Sequence, residues 1–246
     1  MTRFSDTHAV VTGGTSGIGR ATALRLAEEG ATVLVTGRDE ARLAELGEVD
    51  GITAVADDAA DTATGERLRA AVDEHLGGRV DALFLNAGFG GFAPVGSTTQ
   101  ALVDDQHAVN VRGPLLQLAA LDDTLADGGA VLFNTSIVND VGMPNSAAYA
   151  ATKGALRSAM KVAATELAGR GIRANAISPG PIDTGFFGNT NLDEQTVQGM
   201  AEQILSSVPL GRFGTAEEMA AAATFLLSDD ASFVTGAELV ADGGMS

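Results

Sequence analysis

His8-Ala9-Val10-Val11-Thr12-Gly13-Gly14-Thr15-Ser16-Gly17-Ile18-Gly19 lies near the N-terminus and sets the expectation for the whole chain. A short apolar run enters a glycine-rich turn. A helical pattern comes next, with apolar Ala21, Leu24 and Ala27 against polar Arg20, Arg25 and Glu28, and it stops at Gly30. Strand, glycine turn and helix are the context that a dinucleotide fingerprint requires. Glycines let the backbone approach a pyrophosphate, and unpaired N–H groups at the helix N-terminus face its charge. The spacing is T-G-x-x-x-G-x-G rather than the commoner G-x-G-x-x-G. A tight turn alone would carry a similar glycine cluster; the flanking strand and helix favour a nucleotide site.

Outward from this loop, strand-like and helix-like segments alternate. Further strands are expected at Thr32–Thr36, Ile52–Ala56, Val80–Leu85, Gly129–Thr135, Ile172–Ser178 and Ala237–Val240. Helices are expected from Asp39, over Asp61–Leu76, about Thr99–Arg112, over Leu115–Leu125 and over Ala147–Ala168. Repeated β-α units of this length predict an α/β fold: a doubly wound parallel sheet of about seven strands with right-handed crossovers and helices on both faces. Ligands bind such sheets beyond the carboxyl ends of the strands, where Asn86, Ser136 and Pro179-Gly180 fall. No linker or low-complexity tract interrupts the chain, so residues 1–246 read as one domain.

Composition narrows the function. A net charge of −17 argues against nucleic acid as a partner, because a phosphate backbone needs a basic surface. The acidic residues are dispersed, as on a solvated surface. With no cysteine there is neither a disulfide framework nor a thiolate metal site. His8, His75 and His107 are scattered and stand in no metal-ligand spacing, so no metal is expected. The N-terminus lacks a secretory apolar core, and no apolar run approaches membrane-spanning length. A cytoplasmic protein without membrane association is the expectation.

Tyr149 is the only tyrosine, and Lys153, one of two lysines, follows four residues later. On a helix that spacing puts both on one face, about 5–6 Å apart at Cβ. An ammonium beside a phenol stabilises the phenolate and is expected to lower a pKa that starts near 10. A phenol tuned in this way exchanges a proton with an alcohol or carbonyl oxygen. The ordinary alternative is a chance pair on a solvated face.

Together these residues closely resemble the short-chain dehydrogenase/reductase family, over essentially the whole chain. The resemblance rests on Thr12–Gly19, Asn86-Ala87-Gly88, Asn110 in Asn-Val-Arg-Gly, and Ser136 thirteen residues before Tyr149-x-x-x-Lys153. It continues in Ser178-Pro179-Gly180-Pro181-Ile182-Asp183-Thr184 and the terminal Asp242-Gly243-Gly244. Leu85 departs from the pattern, since many members have an asparagine there. The resemblance implies a Rossmann-type fold and an NAD(P)-dependent alcohol/carbonyl oxidoreductase. Tyr149 would be the general acid or base, and Lys153 would hold the nicotinamide ribose and depress the Tyr149 pKa. Ser136 would orient the substrate oxygen, and Asn110 would anchor a water between Lys153 and solvent. Gly13, Thr15, Ser16, Gly17, Ile18 and Gly19 would cradle the pyrophosphate. Asp58 and Ala59 would meet adenine, although Asp58 also suits a helix start. Asn86, Ala87 and Gly88 would line the adenosine ribose and pyrophosphate side, with Pro179, Gly180, Ile182 and Thr184 around the carboxamide and phosphate. Relatives are commonly tetramers, so a homotetramer is implied.

The choice between NADP and NAD turns on the end of the second strand. Gly37 stands where NAD-dependent members carry aspartate, and Arg38 can form a forked pair with a 2′-phosphate. NADP is favoured, with NAD as the alternative and a solvated or adenine-stacking Arg38 as the ordinary reading. The substrate loop is placed at about 184–207, opened by Phe186 and Phe187, with Phe89, Phe92, Val141 and Met143 on neighbouring loops. Scarce aromatics gathered at one end of a sheet suggest an apolar pocket for a small carbonyl or alcohol. NADPH-linked reduction of a ketone or 3-oxoacyl-like carbonyl is the leading reading. An NAD-linked alcohol dehydrogenase, a non-catalytic dinucleotide sensor, and a lyase or dehalogenase on the same scaffold are the alternatives. An intact dyad and glycine loop argue against the last two.

Overall fold

Val10 points to one apolar layer and its neighbours Ala9 and Val11 to another, and this alternation builds the molecule. The computed structural model describes residues 2–184 and 194–246. Its strands are β1 (His8–Val11), β2 (Thr32–Gly37), β3 (Ile52–Ala56), β4 (Val80–Leu85), β5 (Leu125–Asn134), β6 (Arg173–Pro179), β7 (Ile182–Asp183), β8 (Gly214–Thr215) and β9 (Glu238–Ala241). Its helices are α1 (Gly17–Glu28), α2 (Glu40–Gly47), α3 (Thr64–Leu76), α4 (Gln100–His107), α5 (Gly113–Leu121), α6 (Ala147–Glu166), α7 (Glu194–Ser206) and α8 (Ala216–Leu227).

Seven strands pair in parallel in the order β3-β2-β1-β4-β5-β6-β9. Val10, Leu34, Leu83, Leu85, Val131 and Phe133 face a core closed by Leu68 and Val72 of α3, Leu121 of α5, and Leu156 and Met160 of α6. The intervening Ala9, Val11, Val33, Val35, Phe84 and Leu132 face Ala23 and Leu26 of α1, Leu46 of α2, and Met219 and Ala223 of α8. A period of two with both phases apolar is what a sheet covered on both faces demands. Strand order reverses between β1 and β4, whose Val11 and Phe84 are in register. A crevice opens at that switch point.

Several boundaries differ from the expectations. The fifth strand starts at Leu125, not Gly129; the register shift between Val80 and Ala82 absorbs the extra residues, and Gly128 takes φ 82° there. The third helix starts at Thr64, not Asp61. Asp58 and Asp61 each turn a carboxylate oxygen onto the N–H two residues ahead, Ala60 and Ala63, and these local turns compete with helix. The stretch Thr99–Arg112 is α4 followed by a π-helical turn over Ala108–Arg112 that runs straight into α5. The sixth strand shifts by one residue, to Arg173–Pro179. Within the expected substrate loop, α7 is a helix. Phe186 and Phe187 lie outside the described residues. No helix among the described residues is long and apolar enough to cross a membrane.

Candidate active site

Beyond the end of β1, Gly13 and Gly17 take φ 63° and 52°, a region that side-chain-bearing residues rarely adopt. A Cβ on Gly13 would stand 2.7 Å from the Ala87 Cα, so the loop closes directly on the turn after β4. Ser16 is the N-cap of α1, yet its hydroxyl makes no capping bond and the first turn holds no acidic residue. The backbone N–H groups of Gly17, Ile18 and Gly19 therefore find no acceptor among the described residues. This donor set at a helix N-terminus suits a diphosphate.

Side chains tie the strand ends together. The Thr12 hydroxyl accepts from the Asn86 and Ala87 N–H groups, at 3.1 and 3.2 Å. The Asn86 amide donates to the Thr12 and Gly13 carbonyls, each at 3.0 Å, and accepts from the Asn134 amide at 2.9 Å. The glycine loop, β4 and β5 thus form one rigid floor.

Tyr149 and Lys153 enter from the first turns of α6, and both are buried. The Lys153 ammonium donates to the Asn134 carbonyl at 2.7 Å and lies 5.7 Å from the Tyr149 ring centroid. Phe92 meets the Tyr149 ring edge-on at 6.0 Å. Burial pushes the Tyr149 phenol up to about 12, with a hydrogen bond from Ser136 pulling it the other way. Burial also brings Lys153 down to about 8. The expectation that the Lys153 charge lowers the phenol is corrected: desolvation dominates, and the group that opposes it is Ser136. At neutral pH a phenol shifted in this direction holds its proton.

Asn110 sits in the π-helical turn and is fully buried. Its amide accepts from the Phe89 N–H at 3.0 Å and donates to the Phe89 carbonyl at 2.9 Å and the Thr152 hydroxyl at 3.1 Å. It stands behind the cavity wall rather than on it. A Cβ on Gly88 would meet both Asn110 Oδ1 and Lys153 Nζ, at 3.1 and 3.4 Å, so the two groups share that neighbour.

One cavity of about 560 Å³ joins these groups, within the usual size of a small-molecule site. Apart from Asn110, every residue singled out above for catalysis or cofactor contact lines it, from Gly13 through Arg38, Asp58, Ala59, Asn86 and Ser136 to Thr184. Arg38 is exposed at its rim and makes no ion pair among the described residues. Phe89, Phe92 and Met143 line it, whereas Val141 does not.

Among the contributors that the sequence pattern missed, four stand out. Asn134 supplies the Lys153 acceptor, and no local pattern announces a backbone carbonyl. Met245 comes from the C-terminus, where the Asp242 carboxylate accepts from the Gly244 and Ser246 N–H groups at 2.8 and 2.7 Å. Ile204 comes from α7. Asp57 lies beside Asp58, and its buried carboxylate accepts from Thr64 at 2.5 Å and Arg67 at 2.8 Å. The cue for Asp57 was its place at the end of β3.

Residues 13–246 match the family described as enoyl-(acyl carrier protein) reductase. A levodione reductase of Leifsonia aquatica is 38% identical over 258 residues, covering 100% of this chain and 96% of that protein. Among solved structures, a variant of a Serratia marcescens short-chain dehydrogenase/reductase superposes with a TM-score of 0.90 at 31% identity, over 99% of both chains. A blue fluorescent protein from a metagenomic library, in complex with NADPH, gives a TM-score of 0.88 at 31% identity, again over 99% of both chains.

Proposed function

The chain belongs to the short-chain dehydrogenase/reductase family, and from that premise we propose that it reduces a small apolar ketone or 3-oxoacyl-like carbonyl to an alcohol, with NADPH as the preferred partner. It is an oxidoreductase of the NAD(P)-dependent alcohol/carbonyl class. The observation that carries this reading is the Tyr149 phenol, buried and hydrogen-bonded with Ser136 on the wall of the cavity that the glycine loop also lines.

In this reading Ser136 receives the carbonyl oxygen and holds it against Tyr149. Tyr149 gives that oxygen its proton. Lys153, pinned to Asn134, presents its remaining N–H groups to the ribose hydroxyls and to the phenol. Asn110 holds the Phe89 backbone and keeps the route by which Tyr149 is reprotonated. The N–H groups of Gly17, Ile18 and Gly19 bind the pyrophosphate, and Arg38 takes the 2′-phosphate. Asn86, Ala87, Gly88, Asp58, Ala59, Pro179, Gly180, Ile182 and Thr184 complete the cofactor walls. The chemistry a nicotinamide dinucleotide supplies in such a site is hydride transfer. Phe89, Phe92, Met143 and Met245 make the substrate end apolar.

Support for NADPH comes from Arg38, which makes no ion pair among the described residues, and from the metagenomic neighbour solved in complex with NADPH. The name of the Leifsonia relative supports reduction. The protein works in the cytoplasm as one catalytic domain, 1–246, with its substrate loop at about 184–207. It assembles as a homotetramer; exposed Phe225, Phe233, Leu239 and Val240 near the β9 edge support an interface there.

The test is a panel of ketones and 3-oxoacyl thioesters run with NADPH and NADH in parallel, following loss of the reduced nicotinamide absorbance. Turnover that is faster with NADPH is expected. Tight cofactor binding with no turnover of any carbonyl would leave a sensor in place of an enzyme. Faster turnover with NADH would reassign the cofactor.

A further inference from the structure

Ser136 lies in a short segment whose two ends are tied to the same ion pair. On its near side, the Thr135 hydroxyl lies 2.6 Å from Glu238 Oε1 and 2.9 Å from the Ile177 carbonyl; that carbonyl already takes the Thr135 N–H, so the single hydroxyl proton goes to the nearer carboxylate. On its far side, Asp140 accepts from Arg157 Nη1 at 2.7 Å. Arg157 Nε and Glu238 Oε2 then close the ring at 2.7 Å, an ion pair bent away from a linear hydrogen bond. The Glu238 side chain is 7% exposed. Of these four residues only Thr135 lines the cavity.

Arg157 has a further property. It follows Tyr149 and Lys153 on α6 at successive intervals of four, so the three rise along one side of that helix. The clamp therefore refers the serine segment to the helix that carries the phenol. Such a pair is a weak route to stability: Arg157 keeps 36% of its side chain exposed, so solvent screens the attraction, and desolvation of Glu238 offsets much of the rest. A pair that closes a ring around one serine has a geometric use instead.

We propose that Glu238 and Arg157 are positioning residues: they hold the segment Thr135–Asp140 so that the Ser136 hydroxyl stays in hydrogen-bond register with Tyr149. Neither touches the substrate cavity, and both act through Ser136. The inference rests on the oxidoreductase reading only for the use to which the register is put.

The test exploits composition. Tyr149 is the only tyrosine and there is no tryptophan, so phenolate absorbance reports this one group. Ionisation is read in the full chain immediately after an alkaline jump, before unfolding, with no carbonyl substrate present. The variants are Ser136→Ala, Glu238→Ala and the double variant. Because Ser136 lowers the phenol, Ser136→Ala raises its titration. Glu238→Ala is expected to raise it too, and to add nothing in the Ser136→Ala background. A purely electrostatic role predicts the opposite sign, since deleting a carboxylate favours a phenolate. An unmoved or lowered titration in Glu238→Ala, or additive shifts in the double variant, would overturn the proposal. Should Glu238→Ala fail to fold, Glu238→Gln keeps the Thr135 acceptor and loses only the ion pair. An upward shift there, with wild-type titration restored in Arg157→Lys relative to Arg157→Met, supports the clamp; an unmoved phenol overturns it. The readout stands whether or not any ketone is turned over, so failure of the clamp and failure of the reductase reading are separable.

Discussion

The Lys153 ammonium lies 5.7 Å from the centre of the Tyr149 ring, anchored by a 2.7 Å hydrogen bond to the Asn134 carbonyl. One helical turn separates the two residues, and burial acts on both. It raises the phenol to about 12 and lowers the ammonium to about 8, so each is moved toward its neutral form. The phenol thus keeps its proton at neutral pH, with a cation held at a fixed point beside it.

Tyr149→Phe should lower turnover by roughly 10²–10⁴-fold, the usual worth of general acid–base help, while cofactor affinity stays near wild type. In the proposed mechanism the hydroxyl donates the proton, whereas the ring packs against Phe92. Steady-state rates and a cofactor titration check both halves. Retention of more than about a tenth of wild-type turnover would sink the assignment.

Lys153→Met should change how stability depends on pH. The folded lysine titrates near 8 and the unfolded one near 10.5. Between those values the unfolded chain binds more protons, so wild-type stability rises with pH across that window and is lost as pH falls through 8. At neutral pH the variant escapes this penalty, on the order of 3 kcal/mol before the lost Asn134 hydrogen bond is subtracted. Urea unfolding between pH 7 and 10 reads the slope. A wild-type curve as flat as the variant's contradicts the burial argument. Tyr149 titrates oppositely and higher, losing stability from 10 to 12, so the windows do not coincide.

Arg38→Ala should weaken NADPH selectively, by the roughly 10–150-fold that corresponds to a charge-assisted hydrogen bond, and leave NADH nearly untouched. Comparing kcat/KM for the two cofactors in both proteins is the measurement. An equal loss for both would make Arg38 an adenine-stacking or surface residue. Gly37→Asp is a poorer probe than the strand pattern suggests: a Cβ there would stand 2.4 Å from Thr15 Cγ2, so the loop must shift before any carboxylate acts.

Association should be tetrameric at micromolar protein, and Phe233→Asp should shift it toward smaller species. Phe233 is fully exposed and near the free edge of β9, beside exposed Leu239 and Val240. Sedimentation velocity on both proteins decides it. A wild-type monomer refutes the assembly, and an unaffected tetramer in Phe233→Asp moves the interface to another face.

Local spacing alone determined the doubly wound sheet, the glycine loop and the Tyr149–Lys153 pair. Strand alternation, a turn glycine and a four-residue helical interval all act between near neighbours in the chain, so they can be read without folding it. Tertiary structure decided what depends on burial and on distant partners. It set the direction in which the Tyr149 phenol is shifted, because desolvation is a property of the packed core. It turned Asp58 onto its own backbone, gave the Asp57 carboxylate to Arg67, and used the Asn110 amide on Phe89. It also closed Arg157 on Glu238 around Ser136, joining a helix to an edge strand far along the chain. The stripe Tyr149, Lys153, Arg157 was present in the sequence, but nothing local says which carboxylates will meet its third member. That choice belongs to the sheet order, which brings β9 beside β6 and one strand away from β5, so that Glu238 reaches Thr135 just beyond the end of β5.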